Sequence, residues 1–232
     1  MLILAIDTAL DACAAGVLDT RTSRLIGHES LPLKRGHAEA LMPLIGRVMQ
    51  QAGIGFPDLY RIAVTTGPGS FTGLRVGLSA ARGLALASGK PVVGVSTLTA
   101  FAAPLVSQSE GDPVISAIDA RHDHVYFQAV TGDGSSLVRP CVIPIEEALR
   151  AAQYGAPKLV GNAAQILADR WPSDMPPPVS VDARAAPDII WLCWLGAAVS
   201  PETAPARPYY LRAPDAKPLA DSLQAASEPA AS

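Results

Sequence analysis

The chain opens with short apolar runs and then changes period. Leu2–Asp7, Ala12–Leu18 and Arg24–Leu31 have strand length and lie close enough in sequence to form an antiparallel meander. In the next segment Leu41, Leu44, Ile45, Val48, Met49 and Ala52 recur at intervals of three and four, one face of a helix that Gly53 and Gly55 end. Pro43 either kinks this helix or marks its first turn. Arg61–Thr65 is a β-branched strand, Phe71–Ser88 a long helix stopped by Gly89, Val92–Val95 a strand, and Thr97–Val106 a short helix. Residues 1–106 therefore read β-β-β-α-β-α-β-α, an α/β lobe.

A linker, SQSEGDP, precedes a second lobe over 107–212. Strands are expected at Val114–Asp119 and His124–Val130, with a turn at Asp133-Gly134. Helices at Ile145–Ala152 and Ala163–Asp169 flank the strand KLVG, and a proline-rich connector leads to an apolar helix over Asp188–Val199. The proline- and alanine-rich segment 213–232 reads as a flexible tail.

The Phe71–Ser88 helix is apolar over most of its circumference. Phe71, Leu74, Leu78, Ala81 and Ala85 line one side, Val76, Ala80, Gly83 and Ala87 the other, and Arg75, Ser79 and Arg82 fall near one line. Such a helix must be covered on more than one side. The Leu41–Ala52 helix, a second chain, or both would do this, and the surplus apolar area favours a subunit interface.

Composition narrows the class. Of 232 residues 49% are hydrophobic and 17% charged, which describes a globular chain. A formal charge of −3 argues against a protein that grips nucleic acid by itself. Cys13, Cys141 and Cys193 are scattered and form no CxxC, consistent with reduced thiols and a cytoplasmic setting. MLILAIDTAL lacks a basic leader and Asp7 interrupts it, so it reads as a buried strand. The apolar run Ile189–Val199 is shorter than the roughly 20 residues a bilayer needs, so no membrane association is expected.

Between strand and helix stands TTGPGSFTGLRVG. Gly67, Gly69 and Gly73, with the hydroxyls of Ser70 and Thr72, suit either a phosphate cradle or a sharp entry into a packed helix with Ser70 or Thr72 as N-cap. The GxGxxxG spacing is neither the dinucleotide fingerprint nor a P-loop, and no lysine follows. Asp7 and Thr8 end the first strand; an acid there would hold a metal-bound water near a phosphate, or cap a turn. Ser70 has no nucleophile-elbow context. His122 and His124 are two apart on an expected strand and would face one way, but no third metal ligand accompanies them. His37 lies in HAEAL, which lacks the second histidine of HExxH. Asp119 and Arg121 form either a surface ion pair or a contact between lobes.

LAIDTA, HAEALMPLI, VTTGPGSFTGLRVGLSAARGLA, GVSTL, AIDAR, VYF and PYYLR together resemble the TsaB (YeaZ) family, over about residues 1–215. The resemblance implies an actin-like fold of two lobes, each on a mixed sheet, as in Hsp70-type chaperones and sugar kinases. It implies a noncatalytic subunit that pairs with TsaD, alongside the ATPase TsaE, in transferring a threonylcarbamoyl group to N6 of the tRNA adenosine beside the anticodon. TsaD's paired metal histidines have no counterpart after the glycine block, so no metal is implied, no cofactor is required, and ATP or ADP is expected only at the complex. The implied pairing surface, to TsaD or to a second copy, is the helical face, with His37, Leu41, Leu44, Ile45, Val48, Arg75, Leu78 and Arg82 as its contacts. tRNA is then reached only through the complex. Where the family more often has a methionine and a glutamate after IDAR, His122 and His124 stand nearby. The rival reading is an independent actin-like ATPase or kinase using Asp7, Thr8, Gly67, Gly69, Ser70 and Gly73 on ATP-magnesium.

Overall fold

A computed structural model describes residues 1–106 and 111–212. The expected tail, 213–232, and most of the expected linker lie outside the described residues. Strands β1 (Leu2–Asp7), β2 (Ala12–Asp19), β3 (Arg24–Pro32), β4 (Arg61–Gly67) and β5 (Val92–Ser96) form one sheet in the order β3-β2-β1-β4-β5. The β1–β2–β3 meander is antiparallel, and β4 and β5 run parallel to β1. The second sheet holds β6 (Val114–Arg121), β7 (His124–Val130), β8 (Ser136–Pro144), β9 (Lys158–Val160) and β10 (Ser180–Asp182) in the order β10-β9-β6-β7-β8. Read from its β8 edge, it repeats the first: an antiparallel meander followed by two parallel strands. The chain thus has the two-lobed, mixed-sheet α/β architecture of the actin-like fold.

Helices α1 (His37–Ala52) and α2 (Phe71–Ser88) cover one face of the first sheet, α1 over β2 and β3 and α2 over β4. Pro43 lies inside α1, so it does not mark its start. The other face receives α3 (Thr97–Val106) and α6 (Ile189–Ala198), the latter following the short helices α4 (Ile145–Ala148) and α5 (Ala164–Asp169). This corrects the expected lobe boundary, because α6 packs on β1, β2 and β4 of the first lobe. The physical reason is that β2 and β4 are buried along their whole length and β1 along nearly all of it, so the sheet needs apolar cover on both faces. Gly196 permits the approach: a Cβ there would lie 2.3 Å from that of Ala63. Arg61, itself buried, donates to the carbonyls of Gly196 (3.0 Å) and Val199 and so fixes the C-terminal end of α6.

Two edge strands escape sequence reading. β8 carries Pro140 and little alternation, and β10 has three residues. The expected Ile145–Ala152 helix divides into α4 and a 3₁₀ segment, Leu149–Tyr154.

Candidate functional site

The glycine loop is closed by the chain itself. β4 delivers Thr65–Gly67, the Gly67-Pro68 bond is cis, and Ser70 caps α2, its Oγ accepting from Gly73 N at 3.3 Å. Ser70 N donates to Ala9 O at 2.7 Å, and Thr8 Oγ1 donates to Gly73 O at 2.7 Å. A Cβ at Gly69 would lie 2.3 Å from Ala9 O, and one at Gly73 2.1 Å from Thr8 O. These glycines therefore let the loop and the first turn of α2 press directly on the end of β1. On this side the loop meets Thr8 and Ala9 directly.

Asp7 lies beneath this contact. Its Oδ1 accepts from Thr65 Oγ1 at 2.7 Å and from Ala9 N at 3.0 Å, while Oδ2 is buried without a hydrogen-bond partner among the described residues. Burial pushes the carboxyl above the usual carboxylate range; the Thr65 and Ala9 bonds and the nearby His37 offset this only in part. A raised native pKa stabilises the fold fully below the unfolded carboxyl's pKa, and that contribution is lost as pH rises through the native value. Asp7→Asn keeps an acceptor for Thr65 and Ala9 and cannot ionise. Its urea midpoint is expected to gain on the wild type as pH rises from about 4 to about 8. Parallel urea titrations across that range check this, and a constant gap would contradict it.

The interlobe cleft, about 610 Å³, is lined by Asp11, Gly69, Ser70 and Phe71 from the first lobe and by Asp119, Arg121, Tyr126 and Asn162 from the second. Asp7 and Thr8 are absent from its wall. Asp119 Oδ1 accepts from Arg121 N at 2.7 Å, and Asn162 Oδ1 accepts from Asp119 N at 2.8 Å; no ion pair among the described residues joins the two side chains, and both line the cleft. His122 is not in a strand. It occupies the β6–β7 turn with φ of +51°, so the alternation expected to align it with His124 does not operate. His124 Nδ1 instead lies 2.7 Å from the His122 carbonyl.

The outer surface of α1 and α2 is different in kind. Their inner faces bury Leu41, Leu44, Ile45, Val48 and Met49 with Leu78, Ala81, Ala85 and the sheet, while Leu74 packs among Ala9, Leu10 and Leu98. Outside, Met42 is 48% exposed and Leu86 88% exposed. A groove of about 480 Å³ between the helices is lined by Ala38, Leu41, Met42, Phe71, Thr72, Arg75, Val76, Ser79 and Ala80. Gly46 of α1 and Gly83 of α2 border this face, and a Cβ at either would meet nothing within 4 Å. A glycine inside a helix costs about 1 kcal/mol relative to alanine. Nothing among the described residues requires it at these two positions. A flat, apolar, glycine-bearing face admits the close approach of another polypeptide.

The sequence model of the family described as "TsaD: tRNA N6-adenosine threonylcarbamoyltransferase" matches residues 31–204. The Haemophilus influenzae "tRNA threonylcarbamoyladenosine biosynthesis protein TsaB" is 36% identical over 128 residues, 55% of this chain and 53% of that protein. An uncharacterized protein of Mycobacterium tuberculosis H37Rv is 34% identical over 94% of this chain and 95% of its own length. The solved structure of YeaZ from Pseudomonas aeruginosa superposes with a TM-score of 0.75 at 29% identity, over 90% of this chain and 99% of that one. The chain belongs to the TsaB (YeaZ) family. Its alignment spans between half and two thirds of the length of the first TsaB relatives it matches.

Several contacts expected from the family resemblance are corrected by burial. Leu41, Leu44, Ile45, Val48 and Leu78 are core residues of the first lobe, each at most 2% exposed, because the sheet itself covers the apolar stripe. Arg82 is bound to the Ala206 carbonyl, 2.9 Å from Nε, and His37 Nε2 lies 3.0 Å from Leu10 O. Of the expected contacts Leu41 and Arg75 line the outer groove, and of these Arg75 is the exposed one, its side chain without a hydrogen-bonding partner among the described residues. Sequence reading placed Val76, Ala80 and Gly83 on the second side of α2 without naming them as contacts, and missed Ala38, Met42, Gly46 and Leu86 as the outer face. The available signal was the pair of helix-interior glycines and a leucine off the buried stripe.

Proposed function

We propose that the chain is a noncatalytic subunit of the machinery that makes threonylcarbamoyl-adenosine in tRNA. In this reading it pairs through the outer face of α1 and α2 with the transferase TsaD, alongside TsaE, and TsaD moves the threonylcarbamoyl group to N6 of the adenosine beside the anticodon. The chain needs no cofactor of its own, ATP or ADP acts at the complex, and tRNA is met through the assembly in the cytoplasm. The observation that carries the reading is the glycine-bearing apolar face, which the described residues leave uncovered. The match of the transferase family's model to this chain supports a partner of like build and hence a pseudo-symmetric contact. The buried carboxyl of Asp7 and the self-satisfied glycine loop weigh against an independent ATPase or kinase.

The test is to mix the purified chain with the transferase of the same cell and to deplete the chain in vivo. A stable complex on size exclusion, and loss of threonylcarbamoyl-adenosine from tRNA on depletion, support the proposal. Steady ATP turnover by the chain alone that disappears in Asp7→Ala would overturn it.

A further inference from the structure

The outer groove carries one charge. Arg75 is the only ionised side chain in its lining, and no ion pair among the described residues involves it. Other arginines of the surface, Arg21, Arg47, Arg170 and Arg184, each hold a carboxylate of the chain itself. The Arg75 guanidinium lies 3.8 Å from the centre of the Phe71 ring. That ring leans on Tyr210, with centroids 5.5 Å apart. Tyr210 belongs to the C-terminal segment that is tied to the first lobe through Tyr209 N to Thr66 O (2.8 Å) and Arg82 to Ala206 O. The Phe71 ring, braced by Tyr210, thus carries a cation in an otherwise apolar groove whose described lining includes no acid.

A chain that covers this groove removes water from Arg75, and burying an uncompensated guanidinium is unfavourable. We propose that the partner seated on the groove presents an aspartate or glutamate carboxylate to Arg75, and that the Phe71–Tyr210 stack positions the guanidinium to receive it. This rests on the docking reading above and names the chemistry of the partner's contact. It also favours a different chain over a second copy, since the groove lining offers no acid in return.

The experiment measures affinity for the transferase at low and high salt. Arg75→Gln is expected to weaken binding about tenfold, Arg75→Glu about a hundredfold, and both to flatten the salt dependence seen in the wild type. Tyr210→Ala is expected to behave as a milder Arg75→Gln, while Tyr210→Phe, which keeps the ring, restores wild-type binding. One Asp→Lys or Glu→Lys substitution on the partner's docking face is expected to rescue Arg75→Glu. If Gly83→Leu loses binding while Arg75→Gln stays within twofold of wild type, the carboxylate proposal falls and the docking reading stands. If neither variant changes binding, both fall. If the isolated chain self-associates and the same Arg75 variants weaken that association instead, the occupant is a second copy and the proposal is overturned.

Discussion

Gly83→Leu is expected to weaken pairing with the transferase roughly a hundredfold while leaving the chain as stable as before or more so. The two effects separate because they arise on opposite sides of α2. Inward, Leu78, Ala81 and Ala85 hold the helix to the sheet, and none of them is altered. At Gly83 itself a Cβ would project into open space, so no atom of the chain is displaced. Leucine is the better helix former by about 0.8 kcal/mol, which predicts an unchanged or raised melting temperature. Outward, the new side chain stands beside Ser79 and Ala80 on the face that also carries Met42 and Leu86, in the path of an approaching helix. Overpacking of a close helix–helix contact costs about 1–3 kcal/mol at one site, and a gap forced along the contact adds to that. A loss of affinity of roughly a hundredfold follows, read by calorimetry or size exclusion beside a thermal melt. A variant that melts normally and still pairs at wild-type affinity would remove this face from the account. Gly46→Leu on α1 is the matching control, since its glycine is equally uncalled for by the fold.

The element order of the first lobe is legible because each element carries its own period. Three apolar runs make the meander, the 3–4 spacing from Leu41 to Ala52 makes α1, and glycines stop both long helices. Neighbours are not legible in the same way. The stripe Leu41–Leu44–Ile45–Val48 says that something apolar covers α1, and a sheet and a second chain are equally apolar covers. The structure gives that stripe to the sheet and leaves the other side open. The same ambiguity hides the return of α6. Its sequence IIWLCWLGAA is apolar all round and therefore buried, yet nothing in it names the first lobe rather than the second. The loop is a third case. Its glycines signal close approach, and only the positions of Thr8 and Ala9 show that the approaching group is the chain's own backbone. The edge strands β8 and β10 are held by the sheet rather than by propensity, so a single sequence carries little of them.

Leu44→Ala separates core from contact from the other direction. Leu44 has no exposed surface and packs among Leu4, Ile6, Ile45, Val48 and Val64 of the first-lobe core. Removing its side chain beyond Cβ is expected to lower stability by about 2–5 kcal/mol, the cost of lost apolar burial plus the cavity left behind. That is a large part of the roughly 5–15 kcal/mol by which a domain of this size is stable. Leu44 does not line the outer groove, so every side chain of that lining is retained. In urea the unfolding midpoint should therefore fall clearly, while affinity for the transferase, measured well below that midpoint, stays within about twofold of wild type. The opposite pattern, unchanged stability with lost pairing, would return Leu44 to the interface and require α1 to turn its other side to the sheet. Leu44→Asp sharpens the point, since an unpaired carboxylate at that depth is expected to unfold the lobe outright, and its failure to pair would then report on the core alone.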